Sequence, residues 1–267
     1  MNAEPTVSIH PDPSLLAAAV AARLVTRLVD VQNELGSATV VLTGGTMGIA
    51  ALQAVAECPA QRAVDWSRVH FWWGDERFLP AGHPDRNATQ AWSALLDKVG
   101  VDPQKVHEVG TTNQFATEDD AASDYAAQLA AVAGAESGNN AGPDARVPRF
   151  DVLLLGVGPD AHVASLFPEL AGIRTTGRTV VGVADAPKPP PKRVSLTLEA
   201  INTANQVWIA VSGKDKAGAV GLALANAGHV QVPAAGARGL RKTLWLIDQE
   251  AAAQLPGRLI VPEESAS

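Results

Sequence analysis

Apolar positions along this chain fall into short unbroken runs that alternate with longer stretches of helical spacing. Residues 152–155, behind Phe150, form one such run with no polar position inside it, the pattern of a strand buried on both faces. Similar runs at residues 39–43, 69–73, 179–183, 207–211 and 243–247 predict further strands, with a short one at 106–109. Between them, residues 15–31, 47–56, 87–99, 117–133 and 214–226 carry the spacing of amphipathic helices. Asp12-Pro13-Ser14 supplies a start for the first helix and Gly36 a stop. Strand–helix alternation of this kind predicts an α/β fold, a mostly parallel Rossmann-like sheet with helices on both faces. Residues 137–146, rich in Gly, Asn and Pro, read as a flexible surface insertion, because the strand pattern resumes directly afterwards. One domain over residues 1–267 is therefore expected.

Composition narrows the partners. A formal net charge of −7 argues against nucleic acid and anionic membranes, yet leaves room for an anionic small molecule in a locally positive pocket. The lone cysteine, Cys58, follows an Ala-rich helical run without a reactive motif; it reads as structural and fits a reducing compartment. The N-terminus lacks a basic region followed by an apolar core, and residues 15–31 contain Arg23, Arg27 and Asp30. A soluble, cytoplasmic protein is expected, without metal-ligand spacing.

Four segments place unusual chemistry just after predicted strands, the edge at which open parallel sheets bind ligands. In VVLTGGTMG, Gly44-Gly45-Thr46 can aim backbone N–H groups and a helix's positive end at a phosphate or carboxylate; a tight turn needing glycine fits equally well. In HFWWGDERFLP, Asp75, Glu76 and Arg77 form a charged loop between apolar walls, and Arg77 can take a phosphate bidentately. The adjacent carboxylates can point to opposite sides. In FDVLLLGVGPDAHVASLFP, Asp160 and His162 follow a Gly-rich turn as orienting acid and base, or His162 merely caps a helix at an ordinary strand–loop–helix junction. In APKPPPKRVSLTLEAINTA, three prolines hold Arg193 at a strand or helix entrance, although a basic residue after such a stretch is commonly a solvated turn. Lys216 beside a further helix start adds a cation, although a surface lysine reads the same way.

Together LTGGTMG, FWWGDERFLP with the later HPDRNA, LLLGVGPDAHVASLFP, PPKRVSLTLEAIN and VSGKDKAGAV resemble the 6-phosphogluconolactonases, within the larger glucosamine-6-phosphate deaminase and isomerase-like group. The resemblance implies a NagB/RpiA/CoA-transferase-like α/β domain, no cofactor or metal, and a phosphorylated sugar lactone as substrate in the pentose phosphate pathway. A monomer or weak homo-oligomer is expected. Carried over, His162 activates water, Asp160 orients it, and Asp75 has a positional role. Gly44, Gly45, Thr46, Arg77 and Arg193 hold the phosphate, with Lys216 a further contact. Backbone N–H groups near Gly158, or a nearby cation, are the candidate oxyanion donors. Two positions depart from the family pattern. Ala161 replaces the usual Gly, at a cost of about 1 kcal/mol if its φ is positive, and Met47-Gly48 replaces Thr-Pro. An amino-sugar-phosphate deaminase of the same group carries glutamate where Phe167 stands here. A non-catalytic sugar-phosphate-binding regulator would be expected to lose His162.

Overall fold

The structure is a computed structural model that describes residues 4–138 and 141–255. Its main sheet has six parallel strands in the order β1 (Pro5–His10), β9 (Lys242–Asp248), β8 (Gln206–Val211), β5 (Val152–Leu155), β2 (Ala38–Leu42) and β3 (Val69–Trp73). Alternate side chains of the central strands feed two separate cores. Leu153 and Leu155 pack on one face with Val207, Ile209, Trp245 and Ile247; Val152 and Leu154 pack on the other with Val40, Trp208, Leu244 and Leu246.

Helices α1 (Pro13–Leu35), α2 (Gly45–Glu57) and α3 (Asn87–Ala94) cover the second face. On the first lie α4 (Glu118–Ala135), α5 (Leu198–Ile201), α6 (Ala217–Leu224) and α7 (Pro233–Gly236). Helix α1 starts and stops where its sequence signals it. Asp12 accepts the Leu15 N–H at 2.8 Å, and Gly36 ends the helix at φ 82° with its own N–H on the Gln32 carbonyl. At α4, Thr117 and Asp120 form a reciprocal capping box.

Several expectations are corrected. The charged segment after β3 is not a loop: β4 (Asp75–Arg77) pairs antiparallel with β7 (Arg193–Leu196), which pairs with β6 (Val180–Val183) in a second, three-stranded sheet. The predicted strand at 179–183 therefore belongs to this small sheet instead of the main one. The 106–109 strand reduces to a single bridge from Val106 to Phe71. The helix expected over 87–99 ends at Ala94, before a 3₁₀ turn at Leu96–Lys98. Another such turn, Lys214–Lys216, precedes α6. Strand β1 carried no strand expectation, and β7 begins at Arg193, where a strand or helix entrance was expected. β1 is a half-exposed edge strand paired only with β9, so it lacks a continuous apolar run. Of the expected insertion, residues 139 and 140 lie outside the described residues. No helix among the described residues is long and apolar enough to cross a membrane.

Candidate active site

From β2 the chain moves to β3 on one side; from β5 it moves to β8 and β9 on the other. The carboxyl ends of β2 and β5 thus flank the point where the winding reverses, which opens a crevice at that edge. A cavity of about 140 Å³ lies there, with Gly44, Asp75, Arg77, Asn87, His162 and Arg193 in its walls.

After β5 the chain turns through Gly156-Val157-Gly158 without entering a helix, so His162 does not cap one. The turn is closed by the Gly158 N–H on the His162 carbonyl at 3.1 Å and the Ala161 N–H on the Gly158 carbonyl at 2.9 Å. The Gly158 N–H is thereby committed, which removes it from the candidate oxyanion donors. Ala161 sits at φ 67°, the left-handed region where the family pattern has glycine. A side chain at Gly158 would stand 2.1 Å from His162 Cε1 and 2.5 Å from Asp160 Oδ1, so only glycine admits the pair.

His162 Nδ1 lies 2.6 Å from Asp160 Oδ1. Burial raises the Asp160 carboxyl, but the hydrogen bond from His162, the imidazole's charge and the Lys188 ammonium at 3.5 Å outweigh it and bring the group to about 2. An ionised Asp160 accepts the Nδ1 proton and leaves the lone pair on Nε2. The ring is not sealed: its side chain is 16% exposed and borders the cavity. Phe167 packs with its ring centre 4.6 Å from that of the imidazole, and the Arg193 guanidinium carbon lies 5.8 Å from the centre of the Phe167 ring.

The opposite wall comes from the small sheet. In the β4–β7 register Asp75 faces Ser195 and Arg77 faces Arg193. Two arginines directly across a strand pair repel, so this arrangement suits a doubly charged anion better than it suits the empty sheet. Burial lowers the Arg193 guanidinium, Asp75 raises it, and the Arg77 charge lowers it further. Arg193 is held by the carbonyls of Pro190 at 3.1 Å and Lys188 at 3.0 Å, so the proline segment orients it. Arg77 donates to the Asp85 carbonyl at 3.2 Å and to Asn87 Oδ1, and its buried Nε has no partner among the described residues. Asp75 Oδ2 accepts from Ser165 at 2.6 Å. Strand alternation turns Glu76 the other way, into the start of α3, where it accepts the N–H groups of Asn87 and Ala88. The two adjacent carboxylates do point to opposite sides.

Gly44 and Gly45 open α2, with Gly45 at φ 78°. They line the cavity and also a neighbouring one of about 720 Å³, which contains Thr46 and Lys216. Lys216 is paired with Asp215 at 3.1 Å and stands outside the smaller cavity. The structure thus gathers Gly44, Gly45, Asp75, Arg77, His162 and Arg193 around one space, with Asp160 behind the imidazole and Thr46 and Lys216 next door. Asn87, Ser165 and Lys188 carry no signal in the sequence; the first two are short polar residues that matter here because they are buried. His107 lies 3.1 Å from His70 and stacks on Trp72 at 3.9 Å. Among the described residues no group of three or more His, Cys, Asp or Glu is arranged to hold a metal.

A family profile described as glucosamine-6-phosphate isomerases/6-phosphogluconolactonase matches residues 11–245. The chain is 54% identical over 264 residues to a 6-phosphogluconolactonase of Streptomyces coelicolor, covering 98% of this chain and 99% of that one. Among solved structures, the 6-phosphogluconolactonase of Trypanosoma brucei superposes with a TM-score of 0.80 at 28% identity, over 95% of this chain and 99% of that one. A monomeric glucosamine-6-phosphate deaminase of the NagB superfamily shares the fold, with a TM-score of 0.75 at 16% identity over 93% and 99% of the two chains.

Proposed function

This chain belongs to the glucosamine-6-phosphate isomerase/6-phosphogluconolactonase family, and from that premise we infer that His162 is the general base in its hydrolysis of 6-phospho-D-glucono-1,5-lactone. The product is 6-phospho-D-gluconate, and the reaction belongs to the oxidative pentose phosphate pathway. One observation carries the assignment of roles: the His162–Asp160 pair opens into a cavity whose facing wall holds two arginines across one strand pair.

In this reading Nε2 takes a proton from water as the water oxygen bonds to the lactone carbonyl carbon. Collapse of the tetrahedral intermediate breaks the bond from that carbon to the ring oxygen, which receives the proton from Nε2. Asp160 holds the ring and stabilises the imidazolium between the two transfers. The 6-phosphate docks against Arg77, Arg193 and the N–H groups at Gly44, Gly45 and Thr46, with Lys216 at its far side. Phosphate binding orients a bond several atoms away, so its loss lowers turnover as well as affinity. With the Gly158 N–H committed to its turn, the oxyanion charge falls to a neighbouring backbone N–H group or a nearby cation. Asp75, held by Ser165, positions the arginine wall. Phe167 fills the place of the deaminases' glutamate and offers no proton to a ring-opened sugar.

The absence of a spanning helix among the described residues is compatible with a cytoplasmic site of action. Assays that follow freshly made lactone above its spontaneous hydrolysis test the base directly. His162→Ala is expected to lower kcat by about 10²-fold or more with an unchanged circular dichroism spectrum. Wild-type turnover in a folded His162→Ala protein would remove the imidazole from the reaction.

A further inference from the structure

Asn87 borders the cavity beside the arginine wall and is 2% exposed, yet the reaction set out above gives it no task. We propose that Asn87 is a positioning residue that fixes Arg77 for the phosphate without neutralising it. The inference rests on the lactonase reading of the cavity and deepens it.

The side-chain amide is held at both ends. Its Nδ2 donates to the Asp75 carbonyl at 2.7 Å and stands 3.5 Å from Asp75 Oδ1, while its Oδ1 accepts from Arg77 Nη1. A flipped amide would set N–H groups against the guanidinium, so the network admits one orientation. The backbone is pinned as well: Glu76 Oε1 accepts both the Asn87 N–H at 2.7 Å and the Arg77 N–H at 2.8 Å. On the third side a side chain at residue 44 would lie 1.9 Å from Asn87 Oδ1, so the absence of a Cβ at Gly44 is what lets the amide approach the cradle. One amide therefore touches the carboxylate strand, the arginine and the phosphate cradle.

The chemistry explains why an amide stands there. Arg77 is repelled by Arg193 across the strand pair, and an unheld arginine gains side-chain freedom by swinging toward solvent. A neutral carbonyl anchors one nitrogen and leaves the positive charge available. A carboxylate at the same place would hold Arg77 more firmly but cancel the charge that the phosphate requires.

Calorimetric titration of 6-phosphogluconate into wild type, Asn87→Ala, Asn87→Asp, Arg77→Ala and the Asn87→Ala/Arg77→Ala double variant tests this. Asn87→Ala is expected to weaken binding about tenfold and to raise KM more than it lowers kcat; Asn87→Asp, nearly isosteric, weakens binding at least as much. Because Asn87 acts through Arg77, the double variant binds within about twofold of Arg77→Ala alone. Wild-type affinity in either Asn87 variant, or losses that add in the double variant, would overturn the proposal. If Asn87→Ala does not fold, the Asn87→Asp affinity decides. A wild-type protein that fails to bind 6-phosphogluconate would refute the lactonase reading itself, and the proposal with it.

Discussion

Gly158 and Ala161 show how narrowly the imidazole is placed. Gly158 lies directly under the imidazole, and a methyl group there meets His162 and Asp160 well inside contact distance. Gly158→Ala is expected to lower kcat about 10²-fold while stability falls by only about 1–3 kcal/mol, because the methyl displaces the pair and not the core. Parallel assays and urea melts check this; unaltered turnover would mean that the His162–Asp160 contact is dispensable. Ala161 adopts the left-handed conformation its usual glycine would take without strain, so the departure costs local energy and keeps the turn. The Asp-x-His spacing was legible because both side chains come from one short turn. Asn87 was not, since a buried amide and a solvated one read alike in a sequence.

Among the elements, β4 and β7 account for most of what the sequence concealed. Three charged residues look like a solvated loop, and a strand that follows three prolines offers no clear alternation. Only the pairing of Arg77 with Arg193 shows that both segments are strands whose charges share a face. The long apolar strands and capped helices were legible because each carries its own signal, whereas a three-residue strand depends on its partner. Glu76 is the joint between β4 and α3. Burial pushes its carboxyl up to about 7 against the pull of Arg86 and three backbone N–H groups. Glu76→Ala strips those donors and leaves the buried Arg86 without its carboxylate at 3.8 Å. A loss of about 3–5 kcal/mol in urea unfolding is expected; a change under 1 kcal/mol would show that the joint carries little.

For the whole molecule, the two perturbed carboxylates bias stability in opposite pH ranges. Asp160 has a folded value below its ordinary 3.8, so its contribution is complete above that pH and is lost as pH falls toward 2. Glu76 has a folded value above its ordinary 4.5, so the fold favours its protonated form and stability declines as pH rises from 4.5 toward 7. Thermal melts across pH 2–8 should show the first slope vanish in Asp160→Asn and the second in Glu76→Gln; slopes that survive both substitutions would assign them to other groups. The same scale governs the site. The sheet reverses its winding between β2 and β5, and this brings the glycine cradle, the arginine wall and the imidazole from distant stretches of chain to one edge. A crystal structure with 6-phosphogluconate bound would test that convergence most directly. Such convergence places the product carboxylate within hydrogen-bond reach of His162 Nε2 and the phosphate against Arg77, Arg193 and the Gly44–Gly45 amides. A phosphate seated on His162, or a product lying away from both arginines, would contradict it.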